Sequence, residues 1–135
     1  MSRSEALLEH RWRSAEFPLC VVNVTAADLS TRLGAPLNRW SEDGLGPARG
    51  FMRRLPSGLV LVVQELEHAT NHLGAKGPTI YVEAVELVAR GIGHTISEVL
   101  VGLGLSHENL DWSQTESGLE AARQIVRDMQ GRHQA

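Results

Sequence analysis

The sequence predicts a single α+β domain over residues 1–135, with a mostly antiparallel sheet of about four strands and three to four helices. The expected order is roughly α-β-α-β-β-β-α-α. Three observations predict this class: apolar residues recur at helical spacing after capping-box sequences, two apolar runs flank a tight-turn sequence, and the composition is that of a globular domain. With 42% hydrophobic residues, a chain of 135 residues buries a core without disulfides or a structural metal.

The first third of the sequence predicts a helix, a strand and a second, short helix. Residues Ser4 to Ala15 predict a helix, because their apolar side chains form one stripe. The continuous apolar run from Phe17 to Val24 predicts a strand that is covered on both faces, and we place it centrally. The sequence from Thr25 to Asp28 has capping-box form with Asp in place of Glu, and it predicts a short helix that ends at Gly34.

The middle of the chain predicts a loop and then a hairpin. Residues Leu37 to Gly50 contain three glycines, a proline and an acidic pair, so we expect a loop or an irregular edge there. Two apolar runs, Gly50 to Leu55 and Leu59 to Leu66, flank Pro56-Ser57-Gly58, and this arrangement predicts a hairpin. The second of these strands is apolar on both alternating faces, so helices or a second subunit should cover both.

The last third predicts one more strand and two helices. After a flexible connection from Ala69 to Pro78, the β-branched content of Thr79 to Val85 predicts a strand. Thr95 to Glu98 is a capping box, and the helix that it predicts ends at Gly104. Residues Ser106 to Trp112 should form a polar turn. Ser113 to Glu116 is a second capping box, which predicts a last helix that ends at Gly131.

The net charge and the hydropathy of the sequence argue against two classes of partner, nucleic acids and membranes. The net charge of -3 and the pI near 6.0 argue against nucleic acid, which attracts basic surfaces. No segment approaches the roughly 20 apolar residues of a spanning helix, so we expect no membrane partner and a cytoplasmic location. Cys20 is the one cysteine and lies in an apolar run, so it should behave as a small buried hydrophobe. No cofactor is predicted.

A small polar group raises the question of a metal or an active site. His68 and His72 are four residues apart, the spacing that places two imidazoles on one helical face, and Glu65 and Glu67 lie just before them. A strand end followed by a loop fits this stretch better than a helix does, so the two histidines are weak candidate ligands. A small-molecule or metal-binding protein or enzyme built on Glu65, His68, His72 and His94 stays open as an alternative.

The sequence offers no covalent catalytic motif. Cys20 should be buried and inert, and no serine lies in a Gly-x-Ser-x-Gly elbow. We therefore assign no catalytic residues and favour binding over catalysis.

The leading hypothesis is a non-catalytic protein-binding module, and within that class a bacterial immunity or antitoxin-type protein that neutralises a partner toxin by masking its surface. An acidic domain attracts a basic partner, so a basic toxin domain is the candidate partner. A homo-oligomeric adaptor, such as a homodimer that closes one sheet face, is a further alternative. The residues that we expect to contact the partner are Trp40, Glu42, Asp43, Arg49, Glu65 and Glu67.

Overall fold

The computed structural model describes residues 3–13, 15–42, 44–68 and 77–134, without the side chains of residues 3, 4, 12, 13 and 132–134. Over these residues the chain forms one antiparallel sheet and five α-helices, which confirms the α+β class and exceeds the predicted counts. The strands are β1 (Glu16–Val22), β2 (Asn38–Glu42), β3 (Gly46–Arg54), β4 (Val60–Leu66), β5 (Thr79–Glu83) and β6 (Leu110–Ser113). The helices are α1 (Arg3–Arg13), α2 (Ala26–Leu33), α3 (Ala84–Arg90), α4 (Ile92–Gly102) and α5 (Glu116–Gln134).

The six strands lie in the order β2-β3-β4-β5-β1-β6. The apolar strand β1 pairs with β5 on one side and with β6 on the other, so it is an interior strand, as predicted. Strand β4 lies between β3 and β5. None of the described helices combines the length and the apolar content that a bilayer crossing requires.

The sheet has a core on each face. The larger core contains Leu61 and Val63 of β4 together with buried residues of α2, α3, α4 and α5, including Leu29, Leu87 and Leu100. The smaller core lies on the other face, where Leu7 of α1 packs with buried residues of the sheet; these are Trp40, Ala48 and Val62. Both faces of β4 are therefore covered by helices of the same chain.

Two local predictions are confirmed in detail. The hairpin between β3 and β4 closes where Leu55 N donates to Leu59 O at 2.7 Å, and Gly58 takes a φ of 95° that favours glycine. Helix α2 begins after Thr25, whose side chain accepts a hydrogen bond from the amide of Asp28 at 3.1 Å, and it ends at Gly34. Capping and turn chemistry act over a few residues, which is why the sequence alone reveals them.

For Leu37 to Gly50, predicted as a loop or an irregular edge, the loop is wrong, and the structure has a regular edge strand there. Asn38–Glu42 form β2 and residues 46–50 belong to β3, and the two strands pair across a tight turn that includes Gly44 and Leu45. Gly44 and Gly46 adopt positive φ values of 76° and 86° in that turn, and Leu45 N donates to Glu42 O at 3.0 Å. Strand β2 is an edge strand with charged and polar residues, and such strands lack the apolar alternation by which buried strands are found.

Three further boundaries differ from the prediction. Strand β5 stops at Glu83, and α3 follows it with an ion pair of 2.8 Å between Glu86 and Arg90, one helical turn apart. The predicted polar turn from Ser106 to Trp112 contains the start of β6, which forms only by pairing with the distant β1. The last helix passes Gly131 and reaches Gln134.

The two later capping boxes do not cap their helices. Helix α4 already begins at Ile92, and Thr95 lies inside it with its hydroxyl donating to Gly91 O at 2.6 Å. Ser113 is the last residue of β6. The cap of α5 is Thr115, whose hydroxyl accepts a hydrogen bond from Gly118 N at 3.3 Å. Both sequences match the capping-box pattern, but tertiary structure overrides this local preference: Thr95 lies inside α4 and Ser113 belongs to β6.

Candidate functional site

An open groove separates the β3–β4 hairpin from helix α4. Its volume is about 600 Å³. The apolar part of its lining comes from Leu55 and Pro56 of the hairpin and from Val101 of α4, whose surface is 78% exposed. The helix approaches the hairpin closely, since a Cβ at Gly102 would lie 2.4 Å from Leu55 Cδ2. The groove is therefore the space beside a tight contact between two well-formed elements.

Hydrogen bonds and ion pairs fix one wall of this groove. Arg90 Nη1 donates to Glu98 Oε2 at 3.0 Å and to Ser57 Oγ at 3.1 Å, and Ser57 Oγ donates to the other oxygen of Glu98. Arg90 Nε also donates to Glu86 at 2.8 Å. The hydrogen bond with Glu86 and the charges of Glu98 and Glu86 outweigh desolvation and raise the pKa of Arg90. The network fastens the hairpin turn to α3 and α4.

The same wall holds a serine, a histidine and a glutamate, which are the residue types of a nucleophile with its base. The geometry is different from that of a catalytic triad, because Ser57 donates directly to Glu98. His94 Nε2 lies 3.7 Å from Glu98 Oε2, and no hydrogen bond joins it to Ser57 in the described part of the chain. An activated serine needs its base as the hydrogen-bond partner of its own hydroxyl. The arrangement acts as an anchor.

Trp40 and Glu42, two of the predicted partner contacts, lie together on the face that α1 covers. Trp40 is 9% exposed, and its Nε1 donates to Glu42 Oε1 at 3.0 Å. Arg11 pairs with Glu42 and, at 2.6 Å, with Glu16, and its guanidinium lies 5.7 Å from the ring of Trp40 and 5.4 Å from that of Tyr81. We call these five residues the Arg11 cluster.

The charges of the Arg11 cluster explain how a cation is held in a half-buried place. Desolvation opposes the charge of Arg11, but its hydrogen bonds and ion pairs with Glu16 and Glu42 outweigh that effect and raise its pKa. Trp40 and Glu42 thus have partners inside the chain, and their role as partner contacts stays a prediction.

The other described residues of the predicted site lie on the opposite face of the sheet from Trp40 and Glu42; they are Arg49, Glu65 and Glu67. Arg49 Nε donates to Glu65 Oε2 at 2.6 Å, and Glu65 Oε1 accepts from the amide of Ala26 at the N-terminus of α2, at 3.3 Å. Glu67 lies 3.6 Å from the exposed Arg39. A shallow cavity of about 220 Å³ adjoins Glu65. The structure therefore separates the predicted set into two groups on opposite faces.

The proposed metal ligands do not all fall within the described residues. The described residues do not include His72, a candidate metal ligand, nor Asp43, which was predicted as a partner contact, nor most of the connection from Ala69 to Pro78. His68 is exposed, and His94 lies on the groove at the opposite end of β4 from Glu65. Within the four described stretches, no three His, Cys, Asp or Glu side chains come together as a metal site would require.

Cys20 is fully buried, as predicted, and desolvation raises the pKa of its thiol from 9.0 to about 12. We expect iodoacetamide at about pH 8 to label Cys20 roughly 1,000-fold more slowly in the folded protein than in denaturant, because only the thiolate reacts and a pKa of about 12 lowers its fraction by that factor. Mass spectrometry of timed samples measures both rates. The folded state favours the neutral thiol, so this contribution to stability is complete below pH 9 and is lost as the pH rises to about 12. Equal labelling rates would contradict burial of the thiol.

The sequence reasoning missed the groove. One signal was present: Val101 lies beside the apolar stripe of Ile96, Val99, Leu100 and Leu103, so an apolar residue falls on a helix face that should be polar. The position of the hairpin against that face depends on tertiary packing, which a single helix pattern does not contain.

Comparisons with known proteins find no relative of this chain. No protein-family model matches the chain, and no curated protein and no solved structure matches it significantly. The fold belongs to the α+β class, and the groove between the β3–β4 hairpin and α4 is the candidate binding site.

Proposed function

We propose that this chain is a non-catalytic protein-binding module, and more narrowly a bacterial immunity or antitoxin-type protein that neutralises a partner toxin by masking its surface. One observation carries the proposal: Val101 is 78% exposed at the edge of an open groove that Leu55 and Pro56 also line. A single exposed valine is ordinary, but an apolar concave surface is typical of a binding site. A partner's apolar side chains would bury this surface.

The charge of the chain supports the narrower proposal. With a net charge of -3, the protein attracts a basic domain over long range and accelerates the encounter. The groove would then supply the short-range apolar contact. Its wall is held by the network of Arg90, Glu98 and Ser57, so a partner meets a surface that is already in place.

The test is co-expression with the reading frame beside this protein's own gene. We expect that frame to arrest growth, and this chain to restore growth and to purify with its product as a stoichiometric complex. Val101→Asn should weaken the complex at least about tenfold, because the amide would be buried in place of an apolar contact. Isothermal titration calorimetry gives the dissociation constant.

Val85→Asn is the matched control. Val85 is also an exposed valine, at 43%, but it lies on α3 and does not line the groove. Its replacement should change the dissociation constant by less than about twofold. Equal effects of the two variants would contradict the role of the groove. Growth arrest that this chain does not relieve, or a neighbouring frame without toxicity, would contradict the immunity function.

A further inference from the structure

Arg53 is a half-buried cation on the groove wall with no anionic partner in the described chain. It lies on the same face of β3 as the core residues Phe51 and Leu55, because strand residues alternate between faces. Its Nε is buried and makes no hydrogen bond. Leaving a buried donor of a charged group unpaired is costly, so such groups are ordinarily paired.

The other half-buried arginines of the described residues follow that rule. Arg11 pairs with two glutamates, Arg49 with Glu65, and Arg90 with Glu86 and Glu98. Arg53 alone among the four half-buried arginines that the structure describes has neither an ion pair nor a hydrogen bond.

The groove itself does not supply the missing anion. Glu98 is the carboxylate on its wall; it is bonded to Arg90 and Ser57, and no ion pair or hydrogen bond joins it to Arg53 among the described residues. The rest of the lining carries no negative charge: Leu55, Pro56 and Val101 have apolar side chains, and His94 and Ser97 are not anions. A guanidinium beside apolar side chains matches an occupant that is apolar and carries one carboxylate.

We propose that the groove binds an apolar peptide segment of the partner protein that contains an acidic side chain, and that Arg53 pairs with its carboxylate. This inference rests on the proposed function and names the chemistry that the groove recognises. A protein segment fits better than a small molecule because the groove is open, whereas small-molecule sites enclose most of their ligand. The long-range attraction of a basic partner is compatible with one local carboxylate, since steering and contact are separate effects.

The probes are end-blocked seven-residue peptides with a central glutamate flanked by leucine and valine in varied order, and a matched set with glutamine in its place. Two-dimensional amide NMR of the full chain locates and quantifies their binding. We expect shifts at residues 53–58 and 94–102, and affinity for the glutamate peptides at least about tenfold above that for the glutamine peptides.

Arg53→Gln should abolish this preference, so that both peptide sets bind with the affinity of the glutamine set. Arg54→Gln is the matched control, because Arg54 is the next residue, is exposed and points to the opposite face of β3. It should leave the preference intact. The melting temperature of Arg53→Gln should not fall, because the unpaired charge is removed together with its cost.

The outcomes separate this inference from the proposed function. Equal binding of both sets, with Val101→Asn weakening both, would leave the groove as an apolar binding site and overturn the role of Arg53. Tighter binding of octanoate, a small apolar carboxylate, than of any peptide would also overturn the inference. So would a dimer in light scattering, if the amide shifts at residues 53–58 and 94–102 show that the second copy occupies the groove. Selective binding of the glutamate set without rescue of growth would support it and count against the immunity function.

Discussion

Replacing Gly50 by alanine is expected to destabilise the protein by at least about 3 kcal/mol. Gly50 lies in β3, between Asn38 of β2 and Gln64 of β4. A Cβ at this position would lie 1.7 Å from the carbonyl oxygen of Val63, which belongs to the backbone of the neighbouring strand. No side-chain rotation relieves that overlap, so the pairing of β3 with β4 must change. Urea denaturation followed by circular dichroism measures the free energy of unfolding.

Gly93→Ala is the control for this substitution. Gly93 lies in helix α4, its φ is not positive, and a Cβ there has no neighbour within 4 Å. Alanine should therefore raise the free energy of unfolding by about 0.5–1 kcal/mol, since glycine is a poor helix former. If the two alanine variants have the same stability, the close approach of β3 to β4 is contradicted.

Arg11→Ala should cost about 3 kcal/mol, at the lower end of the values for breaking a buried ion pair. The side chain of Arg11 is 12% exposed, and those of Glu16 and Glu42 are 17% and 24% exposed. Its removal leaves two carboxylates without their cation and removes the contacts with Trp40 and Tyr81. The measurement is again the free energy of unfolding in urea.

Two controls show where that cost arises. Arg39 is 70% exposed and lies 3.6 Å from Glu67, so Arg39→Ala should cost less than about 1 kcal/mol. Combining Arg11→Met with Glu16→Gln and Glu42→Gln removes the isolated charges and should recover about half of the loss. A cost for Arg11→Ala no greater than that for Arg39→Ala would contradict the buried character of the Arg11 cluster.

The parts of the fold that the sequence predicted are those set by local chemistry. Pro56 to Gly58 encode a turn by their own backbone preferences, and Thr25 with Asp28 encodes a helix start. The capping boxes at Thr95 and Ser113 failed because their residues are used by a longer helix and by β6. The edge strands β2 and β6 were missed because their stability comes from distant partners.

The candidate site was harder to predict than the fold. Trp40 and Glu42 were predicted to contact a partner protein. In the structure Glu42 pairs with Arg11 of α1 and accepts a hydrogen bond from Trp40. Arg53 and Arg54 are adjacent on β3 and so face opposite ways, but the sequence does not show that Arg53 lacks a carboxylate partner, because this depends on the pairing of Glu98 with Arg90. Pairing of charges is a property of three-dimensional neighbours, and the order of residues along the chain does not specify it.

The interior position of β1 has a consequence for synthesis. Its two pairing partners, β5 and β6, follow it far along the chain, so Leu19 to Val22 leave the ribosome long before any strand can pair with them. An unpaired apolar strand is prone to aggregate. The sheet is therefore complete only after Leu110–Ser113 have been synthesised. A nascent chain that stops before those residues exposes an apolar edge at β1, which is buried in the folded protein.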